Sequence, residues 1–324
     1  MSVSTHPEIV RIALPTPFPV GPVNAFLIKG DPPILVDAGA RSDEAYAKLA
    51  QRLEEHGLKV GDLGIILLTH GHLDHVGLVG DILRESSAEV YAHPLVAEQY
   101  ANYEKETDDN LHHLIHTMRR FGVPEETVAA IAAVRSTFHS LAAPFRVHHA
   151  LEDSAAVAGF SAYHVPGHSA SDVLFYHPED RIAFTGDHLI RNVTPNPLIR
   201  RPRKGQARAR SLVEYQDSLQ RTRALDIETC YPGHGGPFGD HRHVVDNLFH
   251  RHERRTADVR TLLASGPLTP YELATILFPK LSLKVLHLGL SVAIGHLEVL
   301  EERGLAVAEE RDGVVCFALS ADAG

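Results

Sequence analysis

The sequence predicts an α/β layered domain followed by a smaller, mainly helical one, and three observations carry that prediction. Short aliphatic runs such as residues 65–68 alternate with stretches of helical periodicity through the first two thirds of the chain. Four loops that follow such runs carry histidine or aspartate beside glycine: Thr69-His70-Gly71-His72-Leu73-Asp74-His75, Pro166-Gly167-His168-Ser169, Thr185-Gly186-Asp187-His188 and Pro232-Gly233-His234-Gly235. After His234 the pattern changes to helices and a single hairpin.

Strands are expected at 9–14, 23–28, 34–37, 65–69, 90–92, 160–165, 173–176 and 182–185, with helices around 44–56 and 77–85. Residues 94–145 read as a long, mostly helical insertion. Leu111, Leu114, Ile115 and Met118 form one apolar face there, with His112, His113 and His116 pointing away from it as a solvated face. An insertion placed between site loops is expected to cap the cleft as a lid. Between 198 and 210, Arg200, Arg201, Arg203, Lys204, Arg208 and Arg210 occur with no acid among them. That patch reads either as a solvated loop or as an anion-binding rim for phosphate or carboxylate groups, with Arg200, Arg201, Arg203 and Lys204 as its candidates.

A long connecting helix is expected at 243–263. Thr269 then caps a helix with Pro270 at its first position, and Leu286, Leu290, Ala293, Leu297 and Leu300 stripe a third helix that ends at Gly304. Asp312-Gly313 turns a hairpin. Three helices and a hairpin suggest a winged-helix-like module, which gives domains of 1–240, with the insertion at about 95–145, and 241–324. From Val259 to Gly324 five Lys or Arg face eight Asp or Glu. That charge argues against duplex DNA as a partner and for a structural module, or one that pairs two copies as a homodimer.

The whole chain has 324 residues, 44% hydrophobic and 22% charged, with a formal net charge of -10. Such a chain buries a large core, and its charge argues against general affinity for membranes or nucleic acid. No stretch approaches the roughly 20 apolar residues of a membrane span, and the N-terminus does not read as a secretory signal, so a cytoplasmic protein is expected. Cys230 and Cys316 are far apart, so no disulfide framework organises the fold. Cys230 reads as a buried strand residue rather than a ligand or nucleophile.

The histidine spacing is a metal site written in sequence. His70 and His72 are two apart, so at the end of an extended strand their side chains leave on one side and grip one cation. Asp74 and His75 fall where the chain turns into a helix and suit a second cation. Imidazole with carboxylate favours zinc, with iron and manganese as the alternatives. Seven candidate ligands for two cations leave a shared open position, as a catalytic site requires.

With Asp37 in Leu35-Val36-Asp37-Ala38-Gly39, the 70–75 cluster, His168, Asp187 and His234, the sequence resembles the metallo-β-lactamase superfamily over roughly residues 8–240. The C-terminal pattern is similar to its branch with a winged-helix-like domain, which includes the lactamase-like protein 2 group and fungal carrier-protein thioesterases. The resemblance implies an αββα sandwich with metals at one edge. It implies one metal on His70, His72 and His168, another on Asp74, His75 and His234, and Asp187 bridging. Asp37 would orient an imidazole instead of binding metal.

The chemistry implied is hydrolysis by a hydroxide bridging two zinc ions, with Asp74 or Asp187 holding the attacking proton. No serine or cysteine nucleophile is needed; Ser169 and Ser171 are expected to orient backbone, and His188 to be packed away. The substrate expected is a small anionic acyl thioester or ester. Single-stranded RNA cleavage and lactone hydrolysis are the competing activities, and a metal-bound regulator the non-enzymatic alternative.

Overall fold

A computed structural model describes residues 7–203 and 205–321. The first sheet runs in chain order through β1 (Ile9–Leu14), β2 (Val23–Ile28), β3 (Ile34–Val36), β4 (Ile65–Leu67), β5 (Glu89–Ala92) and β6 (His149–Ala150). Its first three strands pair antiparallel and the rest pair parallel. The second holds β7 (Ala155–Val157), β8 (Phe160–His164), β9 (Val173–His177), β10 (Ile182–Gly186) and β11 (Thr229–Pro232), with only the β10–β11 pair parallel. Helices are α1 (Asp43–Glu54), α2 (Leu73–Val76), α3 (Val79–Ile82), α4 (Pro94–Ala101), α5 (Tyr103–Arg120), α6 (Glu125–Ser136), α7 (Ser211–Ala224), α8 (His241–Leu263), α9 (Pro270–Leu277) and α10 (Leu286–Glu302).

The two sheets pack face to face through Phe26, Val36, Leu67, Phe160, Phe175 and Phe184. The outer face of the first sheet is covered by α1, α3 and α4 through Leu49, Leu53, Ile82 and Val96, and that of the second by α7 and α8 through Leu212, Leu219 and Leu248. This is the αββα order of layers. Both sheets bury both faces, and so β2 and β10 are buried throughout and mostly apolar, without alternation.

Two local expectations need correction. The helix expected at 77–85 is the single short α3, with α2 before it at 73–76; Gly77 between them keeps helical backbone and is packed so closely that a Cβ there would lie 2.4 Å from both Arg41 N and Leu141 O. The insertion is not a free-standing lid. Met118, Phe121, Val128 and Ile131 share one apolar core with Val259, Leu273, Leu290 and Leu297 of α8, α9 and α10. At its other end the Tyr100 hydroxyl of α4 donates to Gly71 O at 2.9 Å, beneath the His70–His72 loop.

The C-terminal hairpin, β12 (Ala306–Arg311) and β13 (Val314–Leu319), turns through Asp312 and Gly313, both at positive φ. No helix among the described residues is long and apolar enough to cross a membrane.

Candidate active site

Every candidate ligand, and Asp37 behind them, leaves from the C-terminal end of a strand at one edge of the sandwich. Asp37 follows β3, His70 to His75 follow β4, His168 follows β8, Asp187 follows β10 and His234 follows β11. Asn24 stitches that edge: its Nδ2 donates to Pro232 O and to Gly235 O, both at 2.8 Å, and its Oδ1 accepts from Arg11 Nε at 2.7 Å. Sequence reading missed Asn24, whose only signal was a polar residue inside an apolar strand.

Three groups of side chains converge here, each with ligand atoms within 4.8 Å of one another: His70, His72 and His168; His70, His75 and Asp187; Asp74, His75 and His234. His70 Nε2 and His168 Nε2 both lie 2.9 Å from His72 Nδ1. Asp187 reaches toward three imidazoles: Oδ1 lies 3.4 Å from His75 Nε2, and Oδ2 lies 3.5 Å from His234 Nε2 and 3.6 Å from His168 Nε2. Asp74 Oδ2 lies 3.4 Å from His234 Nε2.

The outward nitrogens decide where the ring protons sit. His75 Nδ1 faces Asp37 Oδ2 at 2.8 Å, His168 Nδ1 faces Asn196 O at 3.0 Å, and His234 Nδ1 faces Pro22 O at 2.9 Å. Those partners only accept, so each ring in its neutral form, the form that binds a metal, donates outward and turns a lone pair inward. Thr69 Oγ1 donates its one proton to Asp37 Oδ2 at 2.7 Å, so His70 Nδ1, 3.2 Å away, must donate to Thr69 Oγ1. His70 Nε2 and His168 Nε2 therefore both present lone pairs to His72 Nδ1, which carries at most one proton between them. One close N···N contact has no hydrogen in it.

The second group is as poorly supplied. His75 Nε2, His234 Nε2 and Asp187 Oδ1 are buried with no hydrogen-bond partner. Two carboxylates and several imidazole lone pairs facing one another in a buried pocket demand positive charge. Such a pocket attracts protons as well as cations: against the opposing effect of burial, Asp187, Asp37 and Asp74 hold His75 well above the ordinary imidazole range, and Asp187 and Asp74 hold His234 up to about 9. Asp187 in turn is held well below the usual carboxylate range by His75 and His234, although burial acts the other way. His72, by contrast, is pushed by burial and by His168 down to about 3. His72 and His168 are the half-buried members, so the pocket opens on their side.

The other expected residues fall as follows. Ser171 Oγ accepts from Gly71 N of the ligand loop at 3.1 Å, while Ser169 Oγ meets Ser171 Oγ at 3.0 Å and accepts from Ser171 N at 3.2 Å. Asp172, which sequence reading passed over, accepts from Ser169 N at 2.7 Å, and burial raises its carboxyl well above the usual range. His188 is buried and meets Thr222 Oγ1 at 2.8 Å. Cys230 is buried in β11, and burial pushes its thiol up to about 12. Of the insertion histidines, His112 and His116 are exposed, while His113 is half-buried against Thr117 Oγ1 at 3.2 Å.

The arginine loop is not a free anion rim. Arg200 pairs with Glu214, Arg201 with Glu106 and Asp109, and Arg203 with Glu98, so the cations are matched by carboxylates of α7, α5 and α4. Arg208 and Arg210 likewise pair with Glu298, Glu301 and Glu302 of α10. Lys204 lies outside the described residues.

An αββα sandwich with this histidine and aspartate edge defines a class, and the chain belongs to it: the family model of the Metallo-beta-lactamase superfamily matches residues 18–234. The protein is a metal-dependent hydrolase of that superfamily. It is 32% identical over 302 residues to the probable metallo-hydrolase YqjP of Bacillus subtilis, covering 92% of this chain and 93% of that one. An atrochrysone carboxyl ACP thioesterase of Aspergillus fumigatus is 24% identical over 293 residues, 85% of this chain and 75% of its own. The crystal structure of a metallo-beta-lactamase family protein from Thermus thermophilus, TTHA1429, superposes with a TM-score of 0.81 at 28% identity, covering 96% of this chain and 98% of that one.

Proposed function

We propose that the protein is a dinuclear hydrolase of the zinc type that cleaves a small anionic acyl thioester or ester. The observation that carries this is the proton count at the site: inward lone pairs and two carboxylates converge with too few hydrogens between them. Cations fit that donor set. His70, His72 and His168 would hold one, Asp74, His75 and His234 the other, and Asp187, within reach of both groups, would join them. When bound, the cations would supply an acidified water and the positive charge that stabilises a tetrahedral oxyanion.

The residues of the chain do the rest. Asp37, Asn196 and Pro22 fix three rings in the tautomer that points a lone pair inward. Asp187 and Asp74 are held ionised by the neighbouring imidazoles and can take the proton of the attacking water. Cys230 has no part, since its thiol is buried and stays protonated. Residues 1–240 would form the catalytic unit, with α8 to α10 and the hairpin as a winged-helix-like support.

Thioester cleavage is favoured by the similarity to a thioesterase relative. The test is the initial hydrolysis rate of a panel of glutathione and coenzyme A thioesters by zinc-loaded protein, with His72→Ala as the blank. A metal-dependent rate well above the blank is expected. No rate on any member would remove the thioester reading.

A further inference from the structure

The arginines of α8 tell a different story from those of the loop. A cavity of about 460 Å³ lies between α8, α10 and the segment 194–197, a size that suits a small molecule. Arg251, Arg254 and Arg255 line it from α8. Among the described residues no carboxylate comes within ion-pair range of these three. Arg251 Nη1 donates to Thr194 Oγ1 at 3.1 Å, and the Arg255 guanidinium lies over the Phe278 ring, 5.1 Å from its centroid. Both contacts orient a cation without neutralising it. Asp258 is the acidic residue in the lining.

Beneath the rim lie buried polar groups. His252 Nδ1 is buried without a partner, and His296 is buried with its Nδ1 on Thr256 Oγ1 at 2.8 Å. The floor is continuous with the metal-site scaffold. Asn196 lines the cavity, its backbone oxygen faces His168 Nδ1, and its Nδ2 donates to Leu288 O of α10 at 2.8 Å. Where the arginines of the 200–210 loop are matched by acids, three unmatched guanidiniums around one concavity are arranged for an anion.

We infer that this cavity behind the His168 loop is a binding site for a phosphate-class anion. Such a group accepts from several guanidiniums at once, and the depth left beneath it admits the molecule that carries it. The phosphate would come either from the substrate itself or from a free anion that acts on the His168 loop through Asn196.

The test is calorimetric titration of the full-length, metal-loaded protein with inorganic phosphate, for wild type, the double variant Arg251→Gln/Arg254→Gln, and Asp258→Asn. The two arginines are exposed, so their loss leaves the fold intact. The double variant should bind phosphate about tenfold more weakly or worse, as loss of charge-assisted hydrogen bonds implies, with metal content unchanged. Asp258→Asn should bind it about threefold more tightly, since a repelling charge is gone. Equal phosphate binding by all three proteins, or none by the wild type, would overturn the site.

Added phosphate then separates the two sources in the thioester assay. A raised KM at constant kcat identifies the substrate's own phosphate, and a changed kcat at constant KM identifies a free anion. The calorimetry reads the site whatever the metal centre hydrolyses, so its failure and the failure of the thioester reading are distinguishable.

Discussion

Asp37 fixes His75: the imidazole Nδ1 meets Asp37 Oδ2 at 2.8 Å, while Thr69 N donates to Asp37 Oδ1 at 2.8 Å. Asp37 takes this position at a φ of 57°, left-handed backbone that a non-glycine residue adopts at a cost. The geometry predicts that Asp37→Asn weakens metal binding by about 10- to 100-fold, the usual effect of losing a carboxylate behind a ligating histidine. Competition with a chromogenic chelator measures it, and retention equal to wild type would remove the orienting role of Asp37.

Gly233 predicts a second outcome. A Cβ there would lie 2.3 Å from Asp187 Oδ1 and 2.6 Å from His75 Cε1, so alanine must displace both. Gly233→Ala should fold with a near-normal melting temperature, yet lose about 100-fold in hydrolysis rate, the scale that an ångström of misplacement produces. Thermal melting and steady-state kinetics on the same preparation check the pair of results.

The loop arginines divide by burial. Arg203 and Glu98 have side chains 50% and 63% exposed, so Arg203→Ala should cost under about 1 kcal/mol. Glu298 is only 6% exposed beside Arg208, so Arg208→Ala strands a buried carboxyl and should cost on the order of 3 kcal/mol. Burial pushes Glu298 above the usual carboxylate range even with Arg208 present. A raised carboxyl keeps its proton in the folded state, so stability falls as pH rises through the window; the Arg208→Ala deficit should be larger at pH 8 than at pH 5. Urea unfolding at both pH values tests the ranking and the slope.

Buried histidines set the acid limit, His252 and His296 together with His188 and His287. Burial is the main cause that brings His252 down to about 4 and His296 down to about 3, with Arg255 adding to both; Glu253 opposes it at His252 and Arg303 assists it at His296. Between those values and the ordinary imidazole value of about 6.5 the unfolded chain binds more protons than the folded one, so stability falls as pH falls through that window. The urea midpoint should decline steadily from pH 6.5 to pH 4. His296→Gln should flatten part of that decline, and an unchanged slope would mean that other groups set it.

How much of this was written in the sequence depends on how local each signal is. His70, His72, Asp74 and His75 were legible because a strand end and one helical turn fix their directions within six residues. The alternation of short strands and helices made a layered α/β domain legible, while the αββα order of the layers came only with the resemblance that the site motifs carry. The partners of Arg201 and Arg203 were not, since Glu106, Asp109 and Glu98 come from a distant insertion and meet the loop only in the folded chain. For the same reason the insertion read as a lid: the face carrying Leu114, Ile115 and Met118 is a helix face in sequence, and only the fold shows that α8 to α10 cover it. The arginines of α8 gave no signal on a mostly polar helix, because the wall at 194–197 that makes them a cavity lies elsewhere in the chain.

The central claim is that seven side chains at one edge of the sandwich hold two cations, and elemental analysis of the purified protein tests it most directly. After zinc loading and removal of excess metal, the account predicts two metal ions per chain, falling to one or fewer in His72→Ala and in His234→Ala. Wild-type protein that keeps no metal, or variants that keep as much as wild type, would contradict it.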